Sequence, residues 1–215
     1  MDPEQYGDEL DKAYRAIGLY IVRYSELVHY MRFLMARRLT RGEANGTLGE
    51  IALGESSHFN IAQAFFAMCR FDNELTKAEI KVESALRGRF VKINEKRTDY
   101  AHGDWIIGLA DEDRMLPPAV GRVRPRASEP YPEKLTAVPV DDLNEQSAEI
   151  LTLLEQTAAF GKVCLDEQIL LAQPPPGVGP IVPRGTLRVN DILAVENGQV
   201  VQLPKFAWLQ RPETV

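Results

Sequence analysis

Between residues 10 and 35, Leu10, Tyr14, Ile17, Ile21, Tyr24, Val28, Met31 and Met35 recur in steps of four and three. That spacing keeps them on one stripe of an α-helix, so the pattern predicts a long amphipathic bundle helix. Residues 42 to 49, with Asn45-Gly46 among them, read as a loop. A second helical run carries Phe59, Ala62, Phe66 and Cys69 and ends near Asp72 and Asn73. Its aromatic-rich face predicts burial.

Thr76-Lys77-Ala78-Glu79 has the spacing of a capping box, in which a hydroxyl and a carboxylate each satisfy a free amide at a helix start. The third helix is placed there, with Val82, Leu86, Phe90, Ile93, Arg97 and Tyr100 along its core-facing seam. An arginine thus occupies a step that should be apolar. After Trp105 the chain turns irregular: Pro117, Pro118, Pro125, Pro130, Pro132 and Pro139 forbid a continuous helix, and residues 120 to 126 and 135 to 140 read as short extended pieces.

A fourth helix is predicted from Asp142, lined by Leu143, Ile150, Leu154, Ala158, Leu165, Ile169 and Ala172 and ended by Pro174-Pro175-Pro176. Residues 174 to 185 read as a Pro/Gly-rich semi-rigid linker. Beyond it, two apolar runs flank Glu196-Asn197-Gly198, where Asn-Gly supplies the positive-φ residues of a tight hairpin. The predicted architecture is all-α: a helical bundle of four to five helices over residues 1–173, with a short β-hairpin appendage in 174–215. A lone hairpin is too small to fold by itself, so it is expected to pack on the helical body or on a second subunit.

The net charge of -6 over 215 residues excludes a general nucleic-acid coat, which needs broad positive potential. Local basic clusters remain, at Arg37, Arg38 and Arg41, at Arg87, Arg89, Lys92, Lys96 and Arg97, and at Arg122, Arg124 and Arg126. The acidic first residues lack the features of a signal peptide, and no apolar run approaches bilayer length, so no membrane association and a cytoplasmic location are expected. Cys69 and Cys164 lie in apolar helical patterns far apart in sequence, which favours buried thiols over a zinc site.

The chemistry concentrates in Asn94-Glu95-Lys96-Arg97-Thr98-Asp99-Tyr100-Ala101-His102-Gly103-Asp104-Trp105. RNA carries its own nucleophile, the 2′-hydroxyl, so a protein that cleaves it need supply only a proton shuttle and a cation for the phosphate. His102 and Arg97 are such groups. Five residues apart, they stand about 140° round a straight helix and cannot share one face. Gly103 is expected to cap the helix and release His102 from its regular direction, while the helix's negative end favours the protonated imidazole.

Lys96 to Gly103 resembles the Arg-x4-6-His signature of HEPN-domain proteins, small helical bundles of which many are ribonucleases. The order of four helices over residues 8 to 172 follows the same outline. The resemblance implies a homodimer in which Arg97 and His102 of both subunits build one metal-independent endoribonuclease cleft, without cofactor and with RNA as substrate. It also implies a toxin or antiphage effector, with an antitoxin or a nucleotidyltransferase as candidate partner. Thr98 and Asp99 are supporting residues, and Lys92 and Lys96 are expected to guide RNA. Thr98 stands where the family often has asparagine, aspartate or histidine. Gly103-Asp104 follows the histidine where one toxin branch has a modifiable tyrosine two residues on, so control by that modification is excluded.

Two other classes stand beside this reading. A HEPN module without activity would bind RNA, a nucleotide or a protein partner. Glu26-x-x-His29 and Glu55-x-x-His58 match part of a di-metal helical-bundle pattern, against which Ser57 reads as a helix cap and His29 as an interface histidine. Arg87 and Arg89 read equally as RNA guides or as a solvated helix face. Trp105 reads as a packing residue before a base-stacking one, and Asp99 as an orienter of His102 or a surface ion-pair partner.

Overall fold

A computed structural model describes residues 3–40, 53–111, 114–121, 135–166, 168–170, 181–183 and 187–203. The loop expected at 42 to 49, Arg41, the Arg122 to Arg126 cluster and most of the 174 to 185 stretch lie outside these. The helices are α1 (Pro3–Leu39), α2 (His58–Phe71), α3 (Lys77–His102), α4 (Val140–Leu165) and the single turn α5 (Val189–Ile192). Short strands follow α3 and α4, and the last two, β8 (Leu193–Glu196) and β9 (Gln199–Gln202), form a C-terminal hairpin. The chain is thus mostly helical with a small β appendage, as its pattern predicts. No described helix is long and apolar enough to cross a membrane. The residues fall into two compact units, Met1–Ser25 with Lys92–Leu151, and Glu26–Val91 with Thr152–Val215.

In the first unit the α1 seam is rotated from the expected stripe. Ala13, Ala16, Tyr20 and Tyr24 are buried, whereas Tyr14 is 57% exposed. Steps of three, four and four also trace one helix face, and the small alanines let other segments approach closely where Tyr14 would hold them away. Two tyrosine hydroxyls anchor the helix: Tyr6 donates to Gly108 O at 2.7 Å and Tyr20 to Ile93 O at 3.1 Å. Burial raises the Tyr20 phenol well above its ordinary range, so it stays a proton donor.

The proline-rich segment forms an antiparallel three-stranded sheet of β1 (Asp104–Ile106), β4 (Ala119–Gly121) and β5 (Thr136–Ala137), in the order β1-β4-β5. Trp105 pairs with Val120, which pairs with Thr136. Pro118 and Pro139 lie just outside the strands, where a missing amide breaks no ladder bond. Ala16, Val120, Val138 and Leu143 form a buried apolar cluster, with Ile17, Tyr100, Trp105 and Val140 packed against it. Between β1 and β4, β2 (Ala110–Asp111) pairs with β3 (Arg114–Met115).

The second unit has an aromatic core. Phe66 packs edge-on to Phe65 at 5.2 Å and lies 6.2 Å from Phe160. On α2 the buried face is Ile61, Ala62, Phe65, Phe66 and Cys69, so Phe59, expected inside, is 42% exposed. Ser57 caps α2 by accepting from the Asn60 amide at 3.2 Å. A Cβ on Gly161 would stand 2.6 Å from Leu34 Cδ1 and 2.7 Å from Phe65 Cζ, so a larger residue on that face of α4 would force these side chains to shift.

The fourth helix begins two residues before Asp142 and stops at Leu165, short of the predicted end. Ile169 lies instead in β6 (Gln168–Leu170), antiparallel to β7 (Ile181–Pro183). The local sequence favours a helix, but strand pairing with a segment read as linker overrides it. The hairpin matches expectation: Asn197 and Gly198 hold φ of 50° and 79°. It is fastened to α4 by Gln156, whose side-chain amide donates to Val200 O at 2.7 Å.

The capping box at Thr76 is present, and it does more than cap. Glu79, 1% exposed, accepts from the Thr76 amide at 2.8 Å, from Arg188 Nε and Nη2 at 3.1 and 2.6 Å, and from the Val189 amide at 3.1 Å. One carboxylate therefore starts α3 and holds the turn that leads into the hairpin.

Candidate functional site

Arg97 and His102 occupy the last two turns of α3, in the first unit. A Cβ on Gly103 would stand 2.5 Å from both Asp99 O and Val120 Cγ2. Its amide donates to Asp99 O at 2.8 Å, and the described glycines with positive φ are Gly108 and Gly198. The helix ends at His102 with Gly103 next, as expected, and glycine is needed there for close approach of the helix end to β4, without a positive φ. His102 remains in the last helical turn and is exposed.

The two side chains nevertheless meet, with Arg97 Nη1 3.5 Å from His102 Nε2. The angular offset is real, but an arginine chain is long enough to reach across the final turn. Arginine can only donate, so a hydrogen bond here would use the lone pair of His102 Nε2, and the ring's role depends on its tautomer.

Arg97 itself rests on an aromatic platform. Its Cζ lies 5.6 Å from the centroid of the Tyr24 ring, a cation-π arrangement. Tyr24 is fully buried and donates its hydroxyl to Asn94 Oδ1 at 2.5 Å. Burial pushes the phenol up to about 12 despite the opposing Arg97 charge, so it stays neutral and a donor. Arg97 Nε is buried without a hydrogen-bond partner, and no carboxylate pairs with the guanidinium among the described residues. A half-buried cation with a buried, unused donor and no described carboxylate beside it could receive an anion.

The other expected residues divide. The Thr98 hydroxyl donates back to Asn94 O at 2.8 Å, a bond along its own helix and not towards the pair. Asp99, Lys92 and Lys96 are exposed on α3. In the second unit, Arg87 Nε lies 3.5 Å from Glu83 and Arg89 donates to Gln156 Oε1 at 2.6 Å, so both hold the fold. Trp105 packs: its indole donates to Tyr100 O at 2.7 Å and its ring lies 5.4 Å from that of Tyr100.

Tyr24 and Asn94 escape sequence reasoning as site residues. Asn94 stands three residues before Arg97, a spacing that puts both on one helix face. Tyr24 reads simply as a core residue of α1, and nothing local links it to α3. Glu26, His29 and Glu55 are exposed, and no group of three or more His, Cys, Asp or Glu converges among the described residues. Comparison with protein-family models, curated protein sequences and solved structures finds no match to this chain.

Proposed function

We propose that this chain is a metal-independent endoribonuclease of HEPN type, acting as a homodimer in the cytoplasm. The observation that carries the reading is the Arg97 guanidinium, free of any described carboxylate, 3.5 Å from a histidine on the same helix end. The resemblance in the motif supplies the family and the dimer. His102 takes the proton of the RNA 2′-hydroxyl, whose oxygen attacks the adjacent phosphorus. Arg97 stabilises the added negative charge of the phosphorane. His102 of the second subunit protonates the departing 5′ oxygen, giving a 2′,3′-cyclic phosphate and a 5′-hydroxyl.

Lys92 and Lys96 lend positive charge along the approach to the helix end. A ribonuclease built this way suits a toxin or antiphage effector, restrained by an antitoxin or by a nucleotidyltransferase acting elsewhere than on a tyrosine after His102. The test is incubation of purified protein with RNA in excess EDTA. Cleavage to cyclic-phosphate ends is expected. Intact RNA held tightly would make the chain a silent binding module, and cleavage only with added metal would overturn the reading.

A further inference from the structure

We infer that Tyr24 is a positioning residue for Arg97, fixed in turn by Asn94, and that it holds the guanidinium without neutralising it. The inference rests on the proposed ribonuclease reading for its effect on turnover, but its geometry stands apart from it. A half-buried arginine is commonly held by a carboxylate, which cancels the charge that a phosphate would meet. Here the support is an uncharged ring 5.6 Å from Arg97 Cζ, and the ring is locked by its hydroxyl bond to Asn94 Oδ1. Thr98 secures the same turn by donating to Asn94 O.

Nε is buried and without a partner, and Nη1 lies beside His102 Nε2. Removing the ring should leave the charge in place and let it swing. A displaced but present cation weakens transition-state stabilisation more than substrate capture, so kcat suffers and KM is spared.

The experiment uses the full chain labelled with 15N-arginine. One Nε–Hε resonance, assigned by its loss in Arg97→Ala, should be shifted by the Tyr24 ring current and exchange slowly with water. Tyr24→Phe, which keeps the ring but loses its bond to Asn94, should keep it with a shift like that of Asn94→Ala, and Tyr24→Leu should lose it. With RNA, Tyr24→Phe is expected within about threefold of the parent, while Tyr24→Leu drops kcat about tenfold or more at nearly constant KM. If Tyr24→Leu does not fold, Asn94→Ala decides, with a moved Arg97 resonance and kcat lowered about threefold.

An Arg97 resonance unchanged in the leucine variant, or in Asn94→Ala where that variant decides, overturns the inference. So does parental kcat in that variant. Should the parent fail to cleave RNA at all, the ribonuclease reading falls, and the resonance alone then decides the positioning role.

Discussion

Arg97 in the first unit and Arg70, Arg87 and Arg188 of the second are held in opposite ways. Glu83, fully buried, accepts from Arg70 Nε at 3.0 Å and from its Nη2, and faces Arg87 at 3.5 Å. Glu79, also buried, takes both arms of Arg188. In both places a carboxylate inside the protein is matched by half-exposed guanidinium groups, and the charges serve the fold. Arg97 has a neutral ring in that place, a buried Nε without a partner and a histidine beside it. Carboxylates hold Arg70, Arg87 and Arg188, whereas Arg97, like Arg32, keeps a buried Nε without a partner, and among these only Arg97 has a described histidine contact.

The sharpest way to break this contrast is to truncate one arginine from each set. Arg97→Ala and His102→Ala should each lower RNA cleavage about 10³-fold while the melting temperature hardly moves. Arg70→Ala should do the reverse: it leaves the buried Glu83 carboxylate with only the longer contacts of Arg87 at 3.5 Å and the Ser84 hydroxyl at 3.4 Å, costing about 2–3 kcal/mol of stability, with cleavage per folded molecule unchanged. Equal effects of Arg97→Ala and Arg70→Ala in both assays would dissolve the distinction. Gly103→Ala should affect cleavage through geometry, because a Cβ there collides with Asp99 O and Val120. A fall in kcat of about 10- to 100-fold is expected, with roughly 1–3 kcal/mol lost in urea unfolding.

Glu79 gives a gentler test of the structural side. Burial alone raises its carboxyl, but Arg188 and the Thr76 amide outweigh that and hold it below its ordinary 4.5. A carboxyl lowered in the folded state adds stability above its unfolded value, and the contribution is lost as pH falls through the folded one. Stability of the parent should therefore decline on acidification below about pH 4.5, and Glu79→Gln should flatten that slope. Smallest of all, Gly198→Ala, at φ of 79°, should cost about 1 kcal/mol, read as a slightly lower urea midpoint with cleavage intact.

Much of this architecture is written locally. The Thr76 to Glu79 capping box, the Ser57 cap and the Asn197-Gly198 turn each need only a few neighbouring residues, and all three are formed. What sequence could not disclose depends on distant partners. Arg188 reaches Glu79 from 109 residues away, and Ile169 joins a strand because Val182 pairs with it. The rotated seam of α1 follows the same rule, since Ala13 and Tyr14 compete for one groove and only the packed neighbours choose. In the site, Arg97 and His102 were legible as a motif. Their contact was not, because helix angles describe Cβ directions and not the reach of a long side chain. The Tyr24 platform was hidden for the same reason that any cross-helix contact is.

The central claim is that the Arg97–His102 pair cleaves RNA by way of its 2′-hydroxyl, without metal. The direct measurement uses a DNA strand carrying a single ribonucleotide, incubated with the protein in EDTA, with the products resolved by mass. The account predicts one cut, 3′ to that ribonucleotide, leaving a 2′,3′-cyclic phosphate, and no cut when the residue is 2′-O-methyl. Cleavage of the all-DNA strand, or of the methylated one, would contradict it.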